Sequence, residues 1–208
     1  MKNIIFAILE EENSNGKIIA ENLSKELNIP FYDKEIIELA SKNSNISKDI
    51  FYTIEDWKLN RLFTPFPVDF CIGLNLPLIT DFIPIQDKTF IEKSKAIKQL
   101  VENKSCVIFC KASNYILRNY KNCIKVLIYS KDEDRVKYIS NKLNLPLKNS
   151  KKFLKKQDKK LSSYYGYYTC ENWDNKKSYD IFLNSSTLGI NNCIYILKSL
   201  YKNMLNEL

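Results

Sequence analysis

Apolar and polar residues alternate along the chain with two different periods. Short continuous apolar runs, typical of buried strands, occur at 3–9, 106–110, 123–129 and 179–183, with a shorter one at 29–32. Between them, apolar residues recur every third or fourth position, which predicts helices at 16–27, 33–42, 88–102, 131–143, 150–161 and 190–205. This alternation predicts an α/β fold with a parallel sheet and helices on both faces.

The predicted sheet also indicates where a ligand would bind. In sheets of this kind ligands lie beyond the carboxyl ends of the strands, near the point where the strand order reverses. The loops that follow the predicted strands begin near Glu10, Lys111, Ser130 and Asn184. Residues 63–87, rich in proline and aromatic residues, do not fit the alternation and are interpreted as an irregular flap or a cover for the substrate side.

Length and hydropathy favour a single domain. The chain has 208 residues, of which 45% are hydrophobic, enough for one sizeable core. Glu10, Glu11 and Glu12 interrupt the first apolar run, which therefore fits a strand better than a signal peptide. The most apolar later stretch, 62–85, contains four prolines and two aspartates, so we expect neither a membrane helix nor a membrane partner.

Cysteine and histidine usage narrows the chemistry. The six cysteines include no C-x-x-C pair, and several lie in apolar segments, which favours a reducing, cytoplasmic setting. The sequence contains no histidine. Nucleophilic sites that depend on a Ser-His or Cys-His pair are therefore excluded, as are zinc sites that need histidine.

Positive charge is concentrated in one segment. The formal net charge is +8, and much of the excess lies in KNSKKFLKKQDKK, residues 148–160. Such a segment favours anionic partners such as nucleotides, nucleic acids or acidic membranes. The alternative, a lysine face that is simply solvated, is the commoner meaning of such a run.

The segment NSNGK, residues 13–17, stands where a phosphate-binding loop would lie, between the first strand and the first helix. Against the strict P-loop pattern, Glu11 replaces the first glycine and Ile18 replaces the magnesium-binding Ser or Thr. The preceding glutamates would repel a triphosphate unless they point away. Taken alone, this loop favours an ordinary strand-to-helix turn by roughly two to one.

Four longer segments change that balance: NGKIIAENLSKELNIPFYDKEIIELASK, SCVIFCKASNYILRN, IKVLIYSKDEDRVKYI and KKQDKKLSSYYGYYTCENWDNKKSYDIFLNSSTLGI. In this order they resemble the cytidylate kinase-like family, a divergent branch of the P-loop nucleoside monophosphate kinases. The resemblance implies a three-layer P-loop NTPase-type fold with a mainly parallel five-stranded sheet, helices on both faces and a helical lid. It further implies one domain, 1–208, with an acceptor-nucleotide region at 33–103 and a lid at 148–172.

The resemblance also implies a set of site residues, with several departures from the family pattern. The donor's phosphates would be held by the loop, in which two glycines have become asparagine, a residue that tolerates positive φ: Asn13, Ser14, Asn15, Gly16 and Lys17. Lys111 stands for an arginine that binds the acceptor's phosphate, and Lys159 and Lys160, after Asp158, stand for lid arginines. Lysine keeps the charge of arginine and loses its bidentate fork.

The remaining candidates each have a structural alternative. Asp33 matches an acidic residue of the acceptor region, and it also suits the N-cap of the helix that follows. Tyr164 offers a ring for stacking a base, but a structural tyrosine cluster against Trp173 is the stronger interpretation. Asn184 and Ser185 would contact the donor's base, or simply form a turn into the last helix. For Arg135 an ion pair on a solvated face is favoured over a contact with phosphates.

These residues lead to three functional hypotheses. The first is an enzyme that transfers phosphate from ATP to CMP or dCMP, with lysines 17, 111, 159 and 160 neutralising charge and Mg²⁺ held mainly by phosphates and water. The second is a catalytically inactive relative that binds a nucleotide or a protein. The third is an RNA-binding protein; nucleic acid is the least favoured partner, because a lid already explains the lysine-rich helix.

Overall fold

A computed structural model of the chain describes residues 3–55 and 83–206. It contains a five-stranded sheet in which every pairing is parallel, with the order β2-β3-β1-β4-β5. The strands are β1 (Ile5–Glu10), β2 (Phe31–Tyr32), β3 (Cys106–Phe109), β4 (Cys123–Tyr129) and β5 (Ile181–Asn184). The predicted parallel sheet is confirmed. Its first strand lies at the centre, so the loop after β1 sits in the middle of the sheet edge.

Helices connect the strands and cover the sheet. They are α1 (Gly16–Leu27), α2 (Lys34–Ser44), α3 (Lys48–Glu55), α4 (Ile85–Val101), α5 (Ser113–Ile116), α6 (Asp132–Leu143), α7 (Leu147–Thr169) and α8 (Ser185–Asn206), with a short 3₁₀ turn at Lys176–Ser178. In the ranges 3–55 and 83–206, no helix combines the length and the apolar character needed to cross a bilayer.

The central strand explains the three layers. Side chains alternate between the two faces of a strand, and both sets in β1 are buried. Ile5, Ala7 and Leu9 belong to a core that also contains residues of α2, α4 and α7. Phe6 and Ile8 belong to a second core, shared with α1 and α8. Helices must therefore cover both faces, as the predicted fold class requires.

Some element boundaries differ from the sequence prediction. The lid helix α7 continues to Thr169 rather than 161, because the tyrosines beyond Leu161 repeat at helical spacing and bury their rings. The predicted irregular segment 63–87 lies outside the described residues as far as residue 82, and α4 already begins at Ile85. Helix α8 begins at Ser185 rather than 190 and is broken by non-helical backbone at Gly189, where φ is 75°. Helices α3 and α5 were not predicted.

Candidate active site at the phosphate loop

The loop between β1 and α1 has the backbone conformation expected for glycines. Asn13 and Asn15 both have a φ of 64°, in the left-handed region that few residues other than glycine and asparagine adopt. Asn15 is followed directly by the first residue of α1, Gly16. Both asparagines thus adopt the positive φ that the sequence analysis expected this residue type to tolerate.

Serine hydroxyls fix this loop to the neighbouring strands. The Ser14 hydroxyl donates to the Ile128 carbonyl of β4 at 2.9 Å, and the Ser185 hydroxyl donates to the Ser14 carbonyl at 2.6 Å. Ser130 Oγ lies 2.6 Å from Ser185 Oγ. Because Ser14 and Ser185 are 0% and 5% exposed, both hydroxyls are committed to holding the loop rather than directed at solvent.

Asn184 ends β5 and begins the next helix. Its side-chain oxygen accepts from the backbone N–H groups of Ser186 and Thr187, at 3.1 and 3.2 Å. This is the usual way in which asparagine satisfies the unpaired N–H groups at a helix start. The turn into the last helix is thus confirmed for 184–185.

The carboxylate of Glu10 lies inside the phosphate loop. Its Oε2 accepts from the backbone N–H of Lys17 at 3.2 Å. A Cβ atom at Gly16 would lie 2.4 Å from Glu10 Cβ and 2.9 Å from Glu10 Oε2, so this close approach requires glycine. Burial raises the pKa of Glu10 to about 7, and repulsion from Glu12 adds to that, against the lowering effect of the N–H groups of Lys17 and Gly16.

The lysine of the loop is paired with the acidic candidate of the acceptor region. Lys17 Nζ lies 2.5 Å from Asp33 Oδ2. This hydrogen bond raises the pKa of Lys17. Asp33 occupies the N-cap position of α2, as the structural alternative predicts, but its side chain makes no capping hydrogen bond. The reason is that its carboxylate is drawn to the ammonium group of Lys17.

Arg135 is buried, and its placement on a solvated face is wrong. The side chain is 1% exposed, and its Nη1 lies 2.9 Å from Glu11 and 3.1 Å from Asp132. Its Nη2 pairs with Asp158 of the lid helix, and its Nε donates to the Glu12 carbonyl at 2.9 Å. All three nitrogens thus have partners that bring the phosphate loop, α6 and α7 together.

The carboxylates around this arginine share one positive charge. Burial raises the pKa of both Glu11 and Asp158 more than Arg135 lowers it, and the neighbouring Asp132 adds repulsion to both. One guanidinium does not fully compensate the removal of several carboxylates from water. This cluster could not be predicted from sequence, because Glu11 and Asp158 lie far from Arg135 along the chain.

A cleft separates the phosphate loop from the lid helix. It has a volume of about 260 Å³, and its lining includes Asn13, Lys111 and Lys160, together with Lys142 of α6. Lys111 and Lys160 are therefore brought together with the loop. The lid lysine Lys159 is exposed and lines neither this cleft nor the cavity described next. Sequence reasoning missed Lys142, since one lysine on a polar helix face carries no signal.

A second cavity borders the loop. Its volume is about 330 Å³, and its lining includes Glu10, Asn13, Asn15 and Lys17. Glu21 of α1 and Tyr138 and Lys142 of α6 complete its polar lining. The phosphate loop therefore borders two cavities, and Asn13 and Lys142 line both.

The tyrosine cluster is structural. Tyr164 is 2% exposed, and Tyr168, which stacks on Phe90 with ring centroids 4.0 Å apart, packs edge-on against it. Trp173 packs against the same core, as the structural interpretation predicts. Lys111 Nζ lies over the Tyr164 ring, 5.9 Å from its centroid, so a cation–π contact helps to position this lysine of the cleft.

The residues present fit ATP and Mg²⁺ only in part. The loop has the required backbone shape, but its Lys17 N–H and Lys17 Nζ already bind carboxylates of this chain. Within 3–55 and 83–206, no group of three acidic, cysteine or histidine side chains is arranged to hold a metal. A magnesium ion would therefore depend on phosphate oxygens and water for its ligands.

Known structures share this fold. An uncharacterized protein from Eubacterium ventriosum ATCC 27560 is 24% identical with a TM-score of 0.70, and 97% of this chain covers 99% of it. A gluconokinase from Sinorhizobium meliloti 1021 is 10% identical with a TM-score of 0.54, at 99% and 97% coverage. A shikimate kinase from Bacteroides thetaiotaomicron is 10% identical with a TM-score of 0.50, at 96% and 98% coverage.

Sequence comparison is more specific than these structural similarities. No curated protein matches this chain in sequence. The model of the cytidylate kinase-like family, however, matches residues 5–187, which include the phosphate loop, the lid helix and all five strands. With that match and a P-loop kinase fold, the chain belongs to the cytidylate kinase-like family.

Proposed function

We propose that this protein transfers a phosphoryl group from ATP to CMP or dCMP, through a phosphate loop that has lost two glycines. The observation that carries the proposal is the cleft in which Lys111, from the end of β3, and Lys160, from the lid helix, meet Asn13 of the phosphate loop. Phosphoryl transfer depends on positioning and charge neutralisation, which lysines can supply without histidine.

Each of the candidate residues receives a role on this basis. ATP supplies the phosphoryl group. Lys17 neutralises charge on the donor side, while Lys111 and Lys160 attract the acceptor's phosphate within the cleft that both of them line. Lys159 adds positive charge from the exposed face of the lid helix. We assign Asp33 to the acceptor side, where it holds Lys17 until a nucleotide binds.

A second candidate function is nucleotide binding without turnover. It is favoured by the internal pairing of two cations at the loop, Lys17 and Arg135 of α6. Lys17 is bonded to Asp33, and Arg135 is bonded to Glu11 and Asp158, so both charges are neutralised before any phosphate arrives. Removing one donor to a transition state commonly costs on the order of 100-fold in rate, and internal pairing acts in the same direction.

The test combines thermal melting with product detection. The purified protein is melted with ATP–Mg²⁺, CMP, dCMP and their mixtures, and CDP or dCDP is then quantified. A ligand at 100 times its dissociation constant stabilises a protein by about 2.7 kcal/mol, a shift that melting resolves. We expect product formation, with a loss of on the order of 100-fold in Lys111→Met.

The matched control is Lys156→Met, which removes an exposed lysine of the lid helix that does not line the cleft. It should retain the activity of the natural sequence. A melting shift without product would replace the proposed function by the second candidate. The absence of any shift with all of these nucleotides would overturn both.

A further inference from the structure

We propose that Glu10 acts as an internal anion that occupies the phosphate cradle of this loop, so that the phosphates of a bound ligand must displace its carboxylate. The proposal concerns regulation of the site described above and rests on the proposed function only for the identity of the ligand. The occupied cradle itself is a matter of geometry.

The first argument is the position of the carboxylate. Backbone N–H groups at the start of a helix that follows a strand bind anions, because they are unpaired and lie at the positive end of the helix dipole. Here the N–H of Lys17 is paired with Glu10 Oε2 at 3.2 Å. A negatively charged oxygen of this chain thus lies where a phosphate oxygen would lie.

The second argument is how closely the loop is fitted to this side chain. A Cβ at Gly16 would lie 2.4 Å from Glu10 Cβ and 3.3 Å from Ile128 Cβ. The left-handed Asn15 directs the chain around the same side chain into α1. Glu10 is therefore packed into the loop from β1, and the start of α1 leaves it no room for a side chain at position 16.

The third argument is the charge around the carboxylate. The charged and titratable groups that surround it are Glu12 in the loop, Lys17 and Glu21 on α1, and Tyr138 and Lys142 on α6, with Asp33 of the acceptor side paired to Lys17. The carboxylates outnumber the ammonium groups. A polyanionic ligand would therefore enter a site already rich in negative charge, and Glu10 is the carboxylate nearest to the cradle N–H groups.

Two consequences distinguish Glu10 from the other carboxylates. Neutralising Glu10 removes the competitor at the cradle, whereas neutralising Glu21 removes the same charge from the wall of the same cavity. Protonation has the same effect as substitution. Since burial raises the pKa of Glu10 to about 7, the competitor is mostly neutral at pH 6 and mostly charged at pH 8.

The experiment measures binding of inorganic tripolyphosphate to the full chain by calorimetry, at pH 6 and pH 8. The variants are Glu10→Gln, which keeps the size and an accepting oxygen, and the matched control Glu21→Gln. Comparison at each pH cancels the titration of the probe itself. At pH 8 we expect Glu10→Gln to bind tripolyphosphate at least about 10-fold more tightly than the natural sequence does. At pH 6 we expect the affinities of the two proteins to differ by less than about threefold.

Glu21→Gln should stay within about threefold of the natural sequence at both values of pH. Equal affinity of Glu10→Gln and the natural sequence at pH 8 would overturn the proposal, and so would an equal gain in Glu21→Gln, which would indicate a general charge effect. The readout requires no turnover. A protein that forms no CDP thus contradicts the proposed function alone, and an unchanged affinity contradicts this inference alone.

A second measurement covers the case in which Glu10→Gln does not fold. Sulfate keeps a constant charge between pH 6 and pH 8, so its binding to the natural protein reports only the titration of protein groups. We expect sulfate to bind more tightly at pH 6 than at pH 8 in the natural protein, and by the same factor in Glu21→Gln. Affinity that does not change with pH would overturn the proposal.

Discussion

The phosphate loop and the lid helix α7 face the same cleft but differ in the charge of their sequences. The loop keeps its backbone shape through left-handed asparagines and serine hydroxyls, while Glu10, Glu11 and Glu12 make its surroundings acidic. The lid helix keeps its positive charge and anchors itself with buried tyrosines. The comparison shows that the shape of this loop and its charge depend on different residues.

The largest effect is expected when the ion pairs that connect these two regions are removed. Arg135→Met leaves the half-buried carboxylates of Glu11 and Asp158 without the buried cation that they share. Breaking a buried ion pair from one side costs about 3–5 kcal/mol, so we expect the free energy of unfolding, measured in urea, to fall by that amount. Arg118→Met removes an exposed arginine that stacks on Tyr115 and should cost less than about 1 kcal/mol. Equal losses of unfolding free energy in the two variants would show that the ion pairs of Arg135 do not hold the two regions together.

The next effect concerns the acidity of the loop. The folded protein raises the pKa of Glu10 from 4.5 to about 7, so it favours the protonated form. The contribution of Glu10 to stability is therefore greatest below pH 4.5 and is lost as the pH rises to 7. Glu10→Gln removes this titration and should be more stable than the natural sequence at pH 8, by up to about 3 kcal/mol, with the difference vanishing near pH 4.5.

Urea unfolding at a series of pH values measures this difference. Other carboxylates whose pKa is raised, such as Glu11, Asp87 and Asp158, titrate in both proteins and cancel in the comparison. Glu21→Gln is again the control and should follow the pH profile of the natural protein. A gain in stability that is the same at every pH would show that Glu10 stays ionised throughout.

A third prediction compares one glycine from each region. Gly16→Ala forces a methyl group against Glu10 and should cost about 1–3 kcal/mol through overpacking. Gly166 lies in the lid helix, where the nearest atom outside the helix, the Glu171 carbonyl oxygen, would be 3.7 Å from the new Cβ of Gly166→Ala. It should gain about 0.5–1 kcal/mol through helix propensity. A lower melting temperature for Gly16→Ala and a higher one for Gly166→Ala would confirm the tight fit of the loop. Decreases of equal size would contradict it.

The smallest effect is expected at Tyr165, on the buried face of the lid helix. The Tyr165 hydroxyl accepts a hydrogen bond from Asn114 Nδ2 at 2.8 Å, and the tyrosine is fully buried. Tyr165→Phe leaves that amide with a poorer set of partners and should lower the free energy of unfolding by about 1–2 kcal/mol. Tyr195→Phe, at a position 69% exposed, should be neutral. Equal stability of the two variants would show that this hydrogen bond contributes nothing measurable.

Periodicity predicted the regular elements well where pattern and burial coincide. The bounds of α1 and β4 match the prediction, because each has an apolar pattern that ends at a polar turn. The length of α7 was underestimated, since its buried face beyond Leu161 is made of tyrosines, which count as half polar in a sequence pattern. The resemblance to the family identified the loop, whose shape depends on local φ preferences.

The contacts that decide the chemistry of the site could not be predicted. Arg135 meets Glu11 and Asp158 only after three separate segments have packed together. Glu10 ends a strand, and its direction, into the loop rather than toward solvent, depends on how α1 follows that strand. Lys142 joins the site because α6 lies beside the loop. Such contacts depend on tertiary geometry, for which a single sequence carries no periodic signal.

The serine bonds of the loop have a consequence for the order in which the molecule assembles. Ser14 receives its hydrogen bond from Ser185, which lies 171 positions later in the chain, and donates to Ile128, 114 positions later. During synthesis the loop emerges before either partner, so these bonds cannot form until the chain has been made as far as Ser185. Contacts between residues that are far apart in sequence slow folding. The loop therefore reaches its final form long after its own residues have been made.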